Sequence, residues 1–217
     1  MSPSKSPLIA VVDYGLGNLR SVSKALELTG AEVIVSSKPK DLLSASGVVF
    51  PGVGAFYRGM ENLRERKLNS ALFKIIKEGK PFLGICLGLQ LLFTFSWEHG
   101  DTKGLDIIEG RVKRFEGNVK VPHMGWNQVK QTQDSSPKTK DLFQGIPDNS
   151  YFYFVHSYFV VPKDKSLIAA TTEYGGEFTS CVCKENIFGV QFHPEKSGPL
   201  GLQILKNFID IINDSQT

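Results

Sequence analysis

The chain of 217 residues has 25 basic and 22 acidic side chains, a formal charge of +3, with 41% apolar and 11% aromatic residues. These proportions support a sizeable single core and exclude a disordered chain, a collagen-like chain and a disulfide scaffold; with both signs of charge interspersed, nothing demands a nucleic-acid or membrane partner. Three cysteines are an odd count, no leader-like start is visible, and the longest strongly apolar stretch, 81–95, contains Gly84, Gly88, Gln90 and Thr94, so the expectation is a cytoplasmic protein with a short Ser/Pro tail at 1–7 and one domain over 8–217.

Residues 8–13 are a continuous β-branched and apolar run, as in a strand buried on both faces. After a glycine-rich turn, Leu19, Val22, Ala25 and Leu26 recur at helical spacing until Gly30. Strands are predicted at 32–36 and 47–50, the second ending at Pro51-Gly52. Met60, Leu63, Ala71, Leu72, Ile75 and Ile76 mark a long helix, broken near Lys67, that stops at Gly79. A strand at 81–85 and a helix over 87–95 follow. This alternation predicts a mostly parallel sheet, helices on both faces, and right-handed crossovers. From 106 to 190 the period shifts towards two, with Tyr, Phe, Val and Thr prominent, which predicts an antiparallel-rich second half whose 182–192 segment returns to the main sheet. A polar loop is expected at 131–140, and Leu202, Leu205, Phe208, Ile209 and Ile212 form the stripe of a closing helix. The fold class is α/β, a single three-layer domain.

The segment Gly84-Ile85-Cys86-Leu87-Gly88 follows a buried strand and opens a helix, with the form G-x-nucleophile-x-G. Flanking glycines permit a sharp turn that pushes the central residue out at the carboxyl end of the sheet, where open α/β folds place ligands. A helix N-terminus favours a thiolate by about 0.3–1 kcal/mol. The competing reading of Cys86 is a small buried hydrophobe. His193-Pro194-Glu195 supplies a base and an orienting carboxylate: residues two apart in an extended segment project to one side, so Glu195 can fix the tautomer of His193 and leave the other nitrogen for a thiol. The order Cys, His, Glu is not that of α/β-hydrolases.

The remaining histidines and cysteines read as structural. His99 is a solvated side chain, His123 and His156 are hydrogen-bonded structural histidines, and Cys181 and Cys183 are packing residues; none has metal-ligand spacing with Cys86. Gly15-Leu16-Gly17-Asn18-Leu19-Arg20 imitates a dinucleotide fingerprint but has Arg20 in place of the third glycine, so that reading fails.

Pro51-Gly52-Val53-Gly54, Gly84 through Gln90 and His193-Pro194-Glu195 together resemble the class I, triad-type glutamine amidotransferases, in order and approximate spacing across nearly the whole chain. Two segments, Phe50-Pro51-Gly52-Val53-Gly54-Ala55-Phe56 and Val121-Pro122-His123-Met124-Gly125-Trp126-Asn127, are similar to the glutaminase subunits that serve imidazole glycerol phosphate synthesis in histidine biosynthesis. The resemblance implies that Cys86, His193 and Glu195 hydrolyse L-glutamine through a thioester, with the oxyanion held by the Leu87 N–H and a second donor from Gly52 or Val53. It further implies substrate contacts from Gln90, Glu98 and the run His156-Ser157-Tyr158. Asn18, Met124, Trp126 and Lys196 would lie near a partner: a separate (β/α)8-barrel cyclase subunit in a heterodimer, since a barrel of about 250 residues cannot fit in this chain. No cofactor and no metal are implied. The alternative is a glutaminase component of another amidotransferase, or a γ-glutamyl hydrolase.

Overall fold

A computed structural model describes residues 6–98, 100–132 and 141–215. Strands β1 (Leu8–Val12), β2 (Glu32–Ser36), β3 (Gly47–Gly52) and β4 (Phe82–Cys86) pair in parallel in the order β2-β1-β3-β4, and β13 (Ile187–Val190) lies parallel to β4 on its other side. Apart from Leu8, every residue of β1, β3, β4 and β13 is buried, which is why these segments read as unbroken apolar runs.

Two apolar clusters cover the sheet. One gathers Val22, Ala25 and Leu26 of α1 (Leu19–Leu28) with Ile204, Leu205, Phe208 and Ile212 of the closing helix Gly198–Asp214. The other gathers Leu42 of α2 (Pro39–Ser44), Met60 and Leu63 of α3 (Phe56–Glu65), and Leu72 and Ile75 of α4 (Asn69–Lys77). The break near Lys67 separates α3 from α4, with Lys67 itself left-handed at φ 55°. The six-residue α2 buries only Leu42, too little to show a period; Pro39 in its first turn is its one local signal.

The expected helix over 87–95 is corrected. Helix α5 (Leu87–Leu91) is short, and Phe93–Ser96 is strand β5, antiparallel to the two-residue β6 (Thr102–Lys103) and parallel to β7 (Ile108–Arg114). The aromatic and β-branched run Phe93-Thr94-Phe95 prefers the sheet once β7 is there to pair with it. The second half is antiparallel as expected: β12 (Glu177–Lys184) pairs with β13, β10 (Tyr158–Pro162) pairs with β12 and β7, and the hairpin-like pair β8 (His123–Gln131) and β9 (Ser150–His156) joins through β11 (Ile168–Glu173). Of the predicted loop 131–140, Gln131 closes β8, and residues 133–140 lie outside the described residues, as do His99 and residues 1–5.

Candidate active site

The register of three parallel strands assembles the site. Gly52 at the end of β3 is opposite Cys86 at the end of β4, and Val190 at the end of β13 is opposite Ile85, so the chain leaving β13 brings Gln191 and His193 up beside the sulfur. Cys86 has φ 52° and ψ −109°, a left-handed value unusual for a side-chain-bearing residue and the backbone mark of an elbow. The elbow is packed so closely that a Cβ on Gly88 would lie 1.8 Å from the Phe50 carbonyl oxygen, and one on Gly52 would lie 2.0 Å from the Tyr14 hydroxyl. Glycine at these positions is therefore a steric requirement.

His193 and Glu195 meet as expected, with Nδ1 and Oε1 2.8 Å apart and both side chains 2% exposed. The local geometry differs from the extended segment inferred above: Pro194–Lys196 is a turn of 3-10 helix, and that turn, rather than strand alternation, folds the carboxylate back onto the ring. Ser197 pins the turn, donating from Oγ to the His193 carbonyl at 2.7 Å and accepting from the Tyr153 N–H at 2.9 Å. Burial opposes charge on His193, but the negative charge and hydrogen-bonding capacity of Cys86 and Glu195 outweigh it and push the imidazole up to about 10. The buried Nε2 has no aligned hydrogen-bond partner among the described residues.

Cys86 opens into a cavity of about 470 Å³ whose wall also includes Val53, Leu87, Gln90, Glu98, His156, Ser157, Tyr158 and Lys196. Nine of the fifteen residues singled out from the sequence thus share one cavity; Gly52 backs it, and His193 and Glu195 are buried outside its wall. Glu98 accepts from the Phe56 N–H at 2.6 Å, tying the carboxylate to the first turn of α3. Gln90 donates from Nε2 to the Tyr158 carbonyl at 2.8 Å and to Oε1 of Gln191 at 3.0 Å. Both amide hydrogens are used, so Oε1, an acceptor, is what Gln90 offers to a ligand.

Three further residues lie away from the cavity wall. Met124 and Trp126 are 62% and 55% exposed on β8, and Trp126 packs edge-on against Tyr153, over whose ring the Lys196 ammonium sits at 5.8 Å. Asn18 caps α1 through the Ser21 N–H. A Cβ on its neighbour Gly17 would lie 3.7 Å from the Gly52 Cα.

Sequence reading missed Gln191, whose Nε2 points at the Cys86 sulfur from 3.5 Å. Its signal is the spacing Gln191-Phe192-His193, in which alternation turns Gln191 and His193 to the site while Phe192 stacks on Phe152 in the core. Tyr14 was also missed; its phenol is fully buried, and burial, then the charge of Cys86, push it well above its usual range. Among the described residues no three His, Cys, Asp or Glu side chains converge to hold a metal ion, and no helix is long and apolar enough to cross a membrane.

A thiol at a strand–helix elbow that opens on a cavity, with an imidazole held by a buried carboxylate behind it, is the set of groups that cysteine-dependent acyl transfer requires. The chain belongs to the class-I glutamine amidotransferase family, which it matches over residues 10–212. It is 50% identical over 204 residues to the imidazole glycerol phosphate synthase subunit HisH of Moorella thermoacetica, covering 94% of this chain and 95% of the relative. Identity to the HisH subunit of Thermosynechococcus vestitus is 50% over 212 residues, covering 96% and 99%. The fold is shared with PurLQS from Thermotoga maritima, with a TM-score of 0.73 at 19% identity, covering 98% of this chain and 100% of that one. It is also shared with a glutamine amidotransferase of known structure, with a TM-score of 0.69 at 18% identity, covering 94% and 98%.

Proposed function

We propose that this chain is the glutaminase subunit of an imidazole glycerol phosphate synthase, hydrolysing L-glutamine to glutamate and passing ammonia to a separate (β/α)8-barrel cyclase subunit of histidine biosynthesis. The chemistry rests on one observation: the strand register that sets Gly52 beside Cys86 and the end of β13 beside Ile85, from which the chain carries His193 close enough for Cys86 to act on its charge. The acceptor reaction rests on the 50% identity to HisH subunits along nearly the whole chain.

In this reading His193 holds the proton taken from the thiol, in keeping with an imidazole raised to about 10, and the sulfur attacks the side-chain carbonyl carbon of glutamine. The oxyanion accepts hydrogen bonds from the Leu87 N–H and from a second main-chain donor in the Gly52–Val53 peptide region, each worth about 10²–10³ in rate. His193 gives its proton to the amide nitrogen, the C–N bond breaks and ammonia leaves. Water then attacks the thioester, losing a proton to His193, and the sulfur is released with that proton. Glu195 supports the imidazolium throughout. Gln90, Glu98 and His156-Ser157-Tyr158 hold the substrate, a role supported by their common cavity.

Ammonia freed into water at neutral pH becomes ammonium, which has no lone pair for attack, so a synthase must pass it directly to the second site. Lys196 on the cavity wall and the exposed Met124 and Trp126 on β8, linked to it through Tyr153, are with Asn18 the surface assigned to the cyclase. We place the enzyme in the cytoplasm. The test is Cys86→Ala assayed together with the cyclase: glutamine-dependent synthesis is expected to vanish while ammonia-dependent synthesis persists. Loss of both activities would make Cys86 structural, and stimulation of glutamate release only by an unrelated synthase would reject the acceptor assignment.

A further inference from the structure

A chain of hydrogen bonds outside the triad runs from β8 to the sulfur. Asn127 Nδ2 lies 3.2 Å from His123 Nε2, His123 Nδ1 lies 3.1 Å from His156 Nε2, and His156 Nδ1 lies 2.8 Å from the Tyr158 carbonyl oxygen. That carbonyl also accepts from Gln90, which donates to Gln191, which donates to Cys86.

The protons in this chain can be assigned from its two ends. A carbonyl oxygen only accepts, so His156 carries its proton on Nδ1. At the other end the Asn127 amide is fixed by its backbone neighbours: Oδ1 accepts from the Gln128 N–H at 2.8 Å, and Nδ2 donates to the Glu173 carbonyl at 2.9 Å. Nδ2 therefore faces His123 as a donor, Nε2 of His123 accepts, and Nδ1 of His123 donates to Nε2 of His156. With both ends fixed, a proton on either remaining nitrogen would set two N–H groups against each other. Both rings are neutral and in the Nδ1–H tautomer, the less favoured one for a free histidine side chain in water.

We propose that Asn127, His123 and His156 form a one-way hydrogen-bond relay that holds the Tyr158 carbonyl, and through it Gln90 and Gln191, in place for glutamine, making Asn127 and His123 positioning residues for substrate binding. This rests on the glutaminase reading above. His123 and His156 are buried, and His123 is stacked between Tyr174 at 4.0 Å and Phe154 at 4.9 Å, which keeps water from competing for the relay. Burial lowers His123 to about 4 and His156 to about 3, in keeping with uncharged rings. Among the described residues, Tyr174 and His193 are titratable groups that also face the pair. Strand alternation turns Met124 and Trp126 outward on β8 and His123 and Asn127 inward, so the relay begins on the strand that presents the surface assigned to the cyclase.

The test has a spectroscopic arm and a kinetic arm on the full chain. Nitrogen NMR of the unsubstituted protein is expected to show two histidines as single Nδ1–H tautomers that do not titrate between pH 5 and 8. Asn127→Asp places an acceptor opposite His123 Nε2, so the relay closes only with one extra proton, and one of the pair is expected to titrate within that range. His123→Phe keeps the ring stacking and removes the hydrogen bonds; with the cyclase present, KM for glutamine is expected to rise about tenfold, one hydrogen bond's worth, with kcat changed less than threefold. A doubly protonated or Nε2–H pair in the unsubstituted protein overturns the relay. Correct tautomers with an unchanged KM in both variants overturn its positioning role. Neither outcome bears on whether Cys86 is the nucleophile, which Cys86→Ala decides separately.

Discussion

The two sides of the site are built in different ways. On the Cys86 side, main chain packs on main chain: a Cβ at Gly88 would meet the Phe50 carbonyl at 1.8 Å, one at Gly84 would meet the Leu89 backbone at 3.0 Å, and Cys86 itself holds a left-handed φ. On the His193 side, side chains hold the geometry: Glu195 on His193, Ser197 bridging His193 to Tyr153, and the two imidazoles of β8 and β9 on each other. The first arrangement is rigid and indifferent to pH, because close packing has no proton to lose. The second can be adjusted and titrates. A nucleophile whose oxyanion donors must be fixed to a fraction of an ångström belongs on the first; a base that must exchange protons belongs on the second.

The contrast is broken or sharpened by graded perturbations. The largest effect is expected from Glu195→Gln, which keeps an acceptor for Nδ1 and removes the charge: glutamate release should fall about 10²–10⁴-fold with little change in unfolding temperature. Activity within threefold of the parent would show that the carboxylate does not support the imidazolium. Gly88→Ala should do the reverse and act through the fold. Forcing a methyl group against the Phe50 carbonyl costs about 3 kcal/mol, a Tm lower by roughly 6–12 °C in a chain of this size, read by calorimetry. An unchanged Tm would mean that the elbow is softer than its packing implies.

A third contrast is the pH dependence of stability. His123 and His156 are held neutral, down to about 4 and 3, while an unfolded histidine titrates near 6.5, so below that value the unfolded chain binds more protons and stability falls with pH by up to about 1.4 kcal/mol per unit for each ring. His193 has the opposite sign: raised to about 10, it contributes stability that is full below about 6.5 and is lost as pH rises towards 10. Urea unfolding between pH 4 and 10 should therefore show loss on both sides of neutrality, and His123→Phe should remove about one proton from the acid slope. An acid slope identical in the variant would place the proton uptake elsewhere.

Much of the rigid side was legible in the sequence because it is local. Buried parallel strands are uninterrupted apolar runs, and an elbow is a five-residue pattern; β2 has the expected bounds, and Cys86 sits where the glycines put it. The helix over 87–95 misled because local spacing cannot show that β7 is waiting to pair with Phe93–Ser96. The adjustable side was legible only in part. His193 and Glu195 are adjacent enough to be read together, although a 3-10 turn and not a strand joins them. His123 and His156 are 33 positions apart and meet only because they are the first partners in the β8–β9 register. Gln191 is faint for the same reason, its spacing from His193 gaining meaning only from a sulfur 105 positions away.

The central claim is that the sulfur of residue 86 carries the glutamyl group. Intact-mass and peptide mapping after exposure to a glutamine analogue with an electrophilic γ-carbon measures it directly. One adduct per chain on Cys86, lost in Cys86→Ala and formed far more slowly in His193→Ala, is the predicted result. Labelling at Cys181 or Cys183, or glutamine turnover continuing in chains whose Cys86 has been replaced, would contradict it.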